Sequence, residues 1–261
     1  LAPAALAQTG DGPAASTTTQ LPRVAVPSHY AIKVTPDAAK LAFAAEARVD
    51  IEIRSETSTL TMNANELAFT SATITAAGKG KPVAGTLSTD AQAQTVTVSF
   101  KKPLKPGKYQ LAFVYSGVIN TQANGLFALD YTDAAGAPKR ALFTQFEAPD
   151  ARRFVPSWDE PSYKATFDLS VVVPKGQMAV SNMPIGSSTE QKDGTSLVTF
   201  GTSPKMSTYL LFLGMGDLER MTAKAGPTEL GVVTGKGNVA KAQLALDAAA
   251  AILPWYNDYF G

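Results

Sequence analysis

The 261-residue sequence is 45% hydrophobic and nearly charge-balanced, with 23 Lys and Arg against 22 Asp and Glu for a net charge of +1. It can bury a substantial core, and it offers no electrostatic reason to expect a nucleic acid or an anionic membrane as partner. It has no cysteine and one histidine, His29, which excludes a disulfide framework and a cysteine nucleophile and leaves no pair of imidazoles for an H-E-x-x-H zinc site.

The chain starts apolar and small, and Ala5-Leu6-Ala7 before Gln8 has the A-x-A form of a signal-peptidase site, predicting export to a periplasmic or extracellular space. Gln8 to Gln20, rich in Gly, Ser, Thr and Ala, reads as a flexible spacer. From Leu21 the pattern turns to period two. Val49, Ile51 and Ile53 alternate with Arg48, Asp50, Glu52 and Arg54, and predict a strand with one wet face. Val96, Val98 and Phe100 predict another, and Tyr109, Leu111, Phe113 and Tyr115 a third after the turn signal Pro106-Gly107. Phe167, Leu169, Val171 and Val173 predict a fourth, ended by Pro174-Lys175-Gly176. Lys192-Asp193-Gly194 reads as a hairpin turn. Tyr209 to Leu213 reads as a strand buried on both faces.

Strands at this spacing predict a mainly β, antiparallel sandwich-like domain over 21–234, after a 1–20 leader remnant and linker. Residues 235–261 read as a linker and one helix. Leu244, Ala248, Ala251, Trp255 and Tyr259 fall near helical spacing, Asn238 is a candidate cap, and Pro254 is expected to kink or shorten the helix. No apolar run approaches ~18–20 residues, so no transmembrane helix is expected.

Several apparent motifs carry no chemistry. Gly231-Val-Val-Thr-Gly235-Lys236 imitates a phosphate loop one residue short, with Gly237 in place of Ser or Thr, and reads as a linker. No G-x-S-x-G elbow occurs. His29 reads as a surface or turn residue, and Asp130 and Asp133 as a solvated loop. The segment Phe143 to Phe167, FTQFEAPDARRFVPSWDEPSYKATF, is different: it is dense in polar groups between two β-patterned regions.

That segment resembles the signature of the N-terminal domain of the aminopeptidase N family of zinc metallopeptidases, with its T-Q-F-E, D-A-R-R, W-D-E-P and K-A-T-F steps in order. Val26-Pro27-Ser28-His29-Tyr30, Val180-Ser181-Asn182-Met183-Pro184 and Thr202 to Leu210 are similar to further steps of the same domain. Ala248 to Gly261 resembles the first helix of the family's thermolysin-like catalytic domain. Ser157 stands where the family often has Cys, and Ala45 near a usual Gly.

The resemblance implies a β-domain that reaches the active-site cleft. Gln145 would line the pocket for the first substrate side chain, and Glu147 would hold the free α-ammonium of a peptide. It also implies a zinc ion in the intact enzyme. The G-A-M-E-N and H-E-x-x-H steps do not occur here, so the expectation is a piece of an aminopeptidase that binds no zinc itself and needs a catalytic domain as partner. Read from the residues alone, Gln145 and Glu147 are two wet-face side chains at i, i+2. Asp150, Arg152, Arg153, Asp159, Glu160 and Trp158 read as structural. The alternative is a non-catalytic secreted β-sandwich acting as a binding or scaffold module.

Overall fold

Alternation of apolar and polar side chains builds the first two strands. A computed structural model describes residues 18–261 apart from Lys79 and Ala134; the signal-like Ala5-Leu6-Ala7 and most of the expected spacer lie outside the described residues. In β1 (Ala25–Asp37) the side chains of Tyr30, Ile32 and Val34 are buried, and in β2 (Ala42–Ile53) those of Val49, Ile51 and Ile53 are. Lys33, Arg48 and Glu52 stay in water. The strands pair antiparallel with Tyr30 opposite Val49. A one-residue slip would turn every one of these apolar groups outward, at about 1.5–3 kcal/mol for each large side chain exposed.

The chain then crosses between layers. β3 (Thr57–Asn63) enters a second sheet, and β4 (Leu67–Ala76) and the short β5 (Val83–Ala84) return to the first. β6 (Thr86–Asp90) and β7 (Thr95–Leu104) complete the second sheet, and β8 (Gly107–Val118) inserts between β2 and β4. β9 (Gly125–Thr132) and β10 (Pro138–Gln145) form a hairpin in a third sheet. After a polar loop, β11 (Lys164–Val173) lies beside β1. β12 (Met178–Ser181) joins the third sheet, and β13 (Ile185–Glu190) and β14 (Ser196–Phe200) extend the first. β15 (Met206–Ser207) touches β11, and β16 (Leu213–Gly216) fills the place between β12 and β10. β17 (Leu218–Ala225) and β18 (Thr228–Gly235) form a separate hairpin, against which the helix α1 (Gln243–Phe260) leans through Ala242 and Leu246.

The first sheet runs β13-β14-β11-β1-β2-β8-β4-β5, the second β3-β7-β6 and the third β12-β16-β10-β9. One contiguous buried cluster joins all three, drawing on Val49 and Phe113, on Leu60 and Val98, and on Leu142 and Leu213. The fold is mainly β and antiparallel, as the alternation predicts. The exception among the named strand pairs is β1 with β11, which run parallel with the rings of Tyr30 and Phe167 stacked 5.0 Å apart.

Five local expectations are corrected. Tyr209–Leu213 is not one buried strand but a 3-10 turn over Thr208–Leu210 followed by β16, and Leu210 is 48% exposed. Polar ties override the apolar run: Asn182 Nδ2 donates to Leu210 O, the Phe212 N–H donates to Asn182 Oδ1 (both 2.8 Å), and Ser181 Oγ donates to Phe212 O at 2.6 Å. Gly231–Gly235 is not a linker but most of β18. Asn238 does not cap α1; its side chain accepts from Lys241 Nζ, and a short 3-10 turn intervenes. Pro254 does not end the helix, which runs on to Phe260. Asp130 is no loop residue: it lies in β9 and takes both Nε and Nη2 of Arg140, at 2.6 and 2.8 Å.

Candidate functional site

The polar signature begins on β10 and runs through the loop to β11. In β10 the side chains of Leu142 and Thr144 point inward and Gln145, its last residue, is exposed; just beyond the strand Phe146 is 2% exposed, and Glu147, in a turn, is exposed again. The i, i+2 spacing therefore puts Gln145 and Glu147 on the wet side, while the residue between them anchors in the core. Phe146 packs on Phe154 at 5.4 Å, and Phe154 on Phe43 of β2 at 5.6 Å. Thr144 fastens the strand laterally: its Oγ1 accepts from the Leu213 N–H at 2.8 Å. Neither carrier residue is sealed in an apolar interior.

What lies opposite Gln145 is glycine. Gly125 of β9 is its register partner and has φ +66°, a left-handed conformation that side chains disfavour. A Cβ there would also come within 2.9 Å of Arg153 Cβ. Glycine is needed opposite Gln145 because the stem of Arg153 fills the space that a side chain would take. The same outward row of β10 holds Phe143, whose ring meets Phe127 of β9 at 6.2 Å.

The loop that follows is held by charge pairs. Arg152 is buried and donates from both Nε (3.0 Å) and its backbone N–H (3.2 Å) to Asp159 Oδ2. Its Nη2 reaches the Asp159 carbonyl and its Nη1 the side-chain oxygen of Gln94. Thr208 Oγ1 donates to the other Asp159 oxygen at 2.6 Å. Arg153 is shared between Asp150 and Glu66. Glu160 accepts the backbone N–H groups of Gln20 and Leu21, both at 2.9 Å, tying the start of the described chain down. Trp158 is 1% exposed, and its backbone N–H donates to the Tyr30 hydroxyl. That ring's own ionisation is pushed far up by burial. These residues tie the loop together through the pairs that their types suggest. Ser157 is fully buried and packs in the interior.

His29 lies within β1, not at its edge. Its Nδ1 is 2.8 Å from Thr166 Oγ1 and its Nε2 3.2 Å from Asp168 Oδ2, both on β11. Among the described residues no group of three or more His, Cys, Asp or Glu side chains is placed to hold a metal ion. His29 with Asp168 supplies two donors where a hydrolytic zinc needs three protein ligands. Zinc does not fit the described residues. No helix among them is long and apolar enough to cross a membrane.

Sequence reasoning missed the polar residues that position these groups: Asn63, whose Oδ1 accepts the Asp159 N–H, and Gln94, Asn182 and Thr208. Asn63 and Gln94 stand singly in a strand end or turn, where no spacing marks them; Asn182 and Thr208 lie in steps of the family resemblance, but nothing in those steps tells which partner each side chain takes.

Comparison with known proteins gives the family. The family model described as the Peptidase M1 N-terminal domain matches residues 26–210, which takes in β1 through the turn at Thr208–Leu210. Aminopeptidase N of Acetobacter pasteurianus is 39% identical over 242 residues, covering 93% of this chain and 67% of that protein. Puromycin-sensitive aminopeptidase of Caenorhabditis elegans is 36% identical over 259 residues, covering 98% of this chain and 27% of its own length. Aminopeptidase M1-D of Oryza sativa subsp. japonica is 35% identical over 245 residues, 92% of this chain and again 27% of that protein. The chain thus spans about two thirds of the first relative and about a quarter of the other two. The chain belongs to the aminopeptidase N family, as its peptidase M1 N-terminal domain.

Proposed function

We propose that this chain recognises the free N-terminus of a peptide on behalf of a zinc aminopeptidase. Glu147 pairs with the α-ammonium, and Gln145 lines the place of the first side chain. The observation that carries the reading is that both side chains project into water from the end of β10 while Thr144 and Phe146 lock that strand end from behind. A fixed carboxylate measures one residue from a chain end because only a free amine brings the matching charge. Acetylation of the amine removes that charge and leaves Glu147 without its partner, so internal peptide segments are rejected.

Zinc and the hydrolytic step are assigned to a catalytic domain acting with this chain, since the residues described here do not fit the metal. The 261-residue chain alone is expected to show no zinc-dependent turnover of an aminoacyl anilide. Joined to the zinc-loaded catalytic domain of an aminopeptidase N relative, it restores turnover. Glu147→Gln then lowers kcat/KM for free-amine peptides by roughly 10- to 100-fold, the equivalent of ~1.5–3 kcal/mol for one charge-assisted hydrogen bond. Equal kcat/KM for wild type and Glu147→Gln, or equal cleavage of acetylated and free peptides, defeats the reading.

A further inference from the structure

A cleft lies on the far side of the third sheet from β9. It measures about 430 Å³ and is walled on one side by the run from Met178 to Ile185 and on the other by Arg220, Gly231 and Val233 of the β17–β18 hairpin. The first wall is the outer flank of β12, which is the terminal strand of its sheet: its inner flank pairs with β16, Val180 opposite Gly214. β12 reads Met-Ala-Val-Ser. It carries none of the charges or prolines with which terminal strands ordinarily repel a further strand.

The second wall holds a cation on purpose-made ground. Arg220 lies across Gly231, and a Cβ at Gly231 would sit 2.0 Å from Arg220 Nε. Gly231 has an ordinary backbone conformation, so the glycine is required by the guanidinium and not by φ. Arg220 Nη2 is 3.1 Å from Glu229 Oε1, which leaves the rest of its planar donor fork for another acceptor. It is the only charged side chain lining the cleft, whose other walls include Met183, Ile185 and Phe200.

A free strand flank, apolar walls and one cationic fork together specify an occupant. We propose that this cleft binds an extended, largely apolar peptide segment carrying a carboxylate, which adds to β12 as a fifth strand of the third sheet and pairs its carboxylate with Arg220. Main-chain hydrogen bonds to β12 hold it and alternate side chains enter the apolar wall, the arrangement by which extended peptides join sheet flanks. The volume falls in the usual range for ligand clefts, and an extended tetrapeptide of ~13 Å matches the four residues of β12. This site is independent of Glu147, because it reads a carboxylate and not an amine.

The test uses the intact chain, isotope-labelled, titrated with acetyl-Val-Leu-Val-Glu-amide and followed by amide NMR shifts. Acetylation keeps the probe from the proposed ammonium site. Two further probes separate the sources of the carboxylate: the Gln-amide analogue, which has none, and acetyl-Val-Leu-Val with a free C-terminus. Saturable shifts at Met178 to Asn182 are expected, with an affinity about tenfold weaker for the Gln analogue. Arg220→Ala and Gly231→Ala, the second of which displaces the guanidinium without deleting it, should each weaken the Glu probe to the level of the Gln analogue. Shifts confined to other strands, no saturation by millimolar peptide, or an affinity indifferent to both variants overturns the proposal.

Discussion

Asp159 and Arg152 together hold the signature loop, and Asp159 is the side on which the donors converge. It takes two donors from Arg152 and one from Thr208, and its own N–H is satisfied by Asn63. Arg152 and Asp159 are 8% and 2% exposed, so the pair has little water to fall back on. Asp159→Asn is expected to cost ~3–5 kcal/mol, because it leaves a buried guanidinium without its counter-charge. Urea unfolding with an unchanged m value measures it; a loss under ~1 kcal/mol would mean that Gln94 and the Asp159 carbonyl suffice. At this scale the sequence was informative where residue types are complementary. An Arg fork and a carboxylate seven positions apart in one polar run suggest a pair, and alternation suggests that Gln145 and Glu147 share the wet side. It was silent where a neutral amide or hydroxyl does the holding. Nothing in its own neighbourhood distinguishes Asn63, Gln94 or Thr208 from a solvated residue, since their partners lie tens of positions away.

Among the elements, the β17–β18 hairpin depends most on electrostatics. Tyr131 OH donates to the Asp217 carbonyl at 2.9 Å, and Lys139 Nζ lies 2.9 Å from Asp217 Oδ2. The hydrogen bond from Lys139 lowers the Asp217 pKa, and the hydrogen bond from Asp217 raises that of Lys139. Asp217 thus contributes stability above the ordinary carboxylate pKa, ~3.9, which is lost as pH falls through its lower folded value; Lys139 contributes below ~10.4, and its share is lost as pH rises through its higher folded value. Docking of the hairpin on β9 and β10 should be firmest between these limits. Amide exchange at Val233 to Gly235, corrected for intrinsic rates, is expected to lose protection below about pH 4. Lys139→Met should flatten the acid-side dependence; an unchanged profile in that variant would show that Lys236, 3.9 Å from Asp217 Oδ1, keeps the carboxylate ionised instead. The hairpin was hard to read in advance because its strands bury little: Met221, Ala223, Leu230 and Val232 are only partly covered or exposed. The long strands β2, β7, β8 and β11 have fully buried inner rows and were legible for the opposite reason. Tyr209–Leu213 misleads because Ser181, at the end of β12, and Asn182, just after it, bend an apolar run into a turn.

For the whole molecule, strand order is the part that local pattern cannot supply. The parallel join of β1 to β11 brings together His29 and Thr166, 137 positions apart, and alternation is the same whichever neighbour a strand takes. The helix poses the opposite case, since its pattern is plain and its packing is incomplete. Only Leu246 along α1 is buried, while Trp255, Tyr256, Tyr259 and Phe260 are 58%, 47%, 69% and 76% exposed. They contact mainly each other, with Trp255 stacked on Tyr259 at 5.2 Å. An exposed aromatic patch of this kind favours association, because pairing two copies removes apolar surface from water on both. The chain is therefore expected to self-associate reversibly on the order of 10–100 µM, read by sedimentation velocity across a dilution series. Trp255→Ser with Phe260→Ser should sediment as a monomer throughout. Its urea midpoint should match wild type, since neither ring contributes to the β core. A wild-type chain that stays monomeric over the whole series would show that the ring-on-ring contacts within α1 already satisfy the patch.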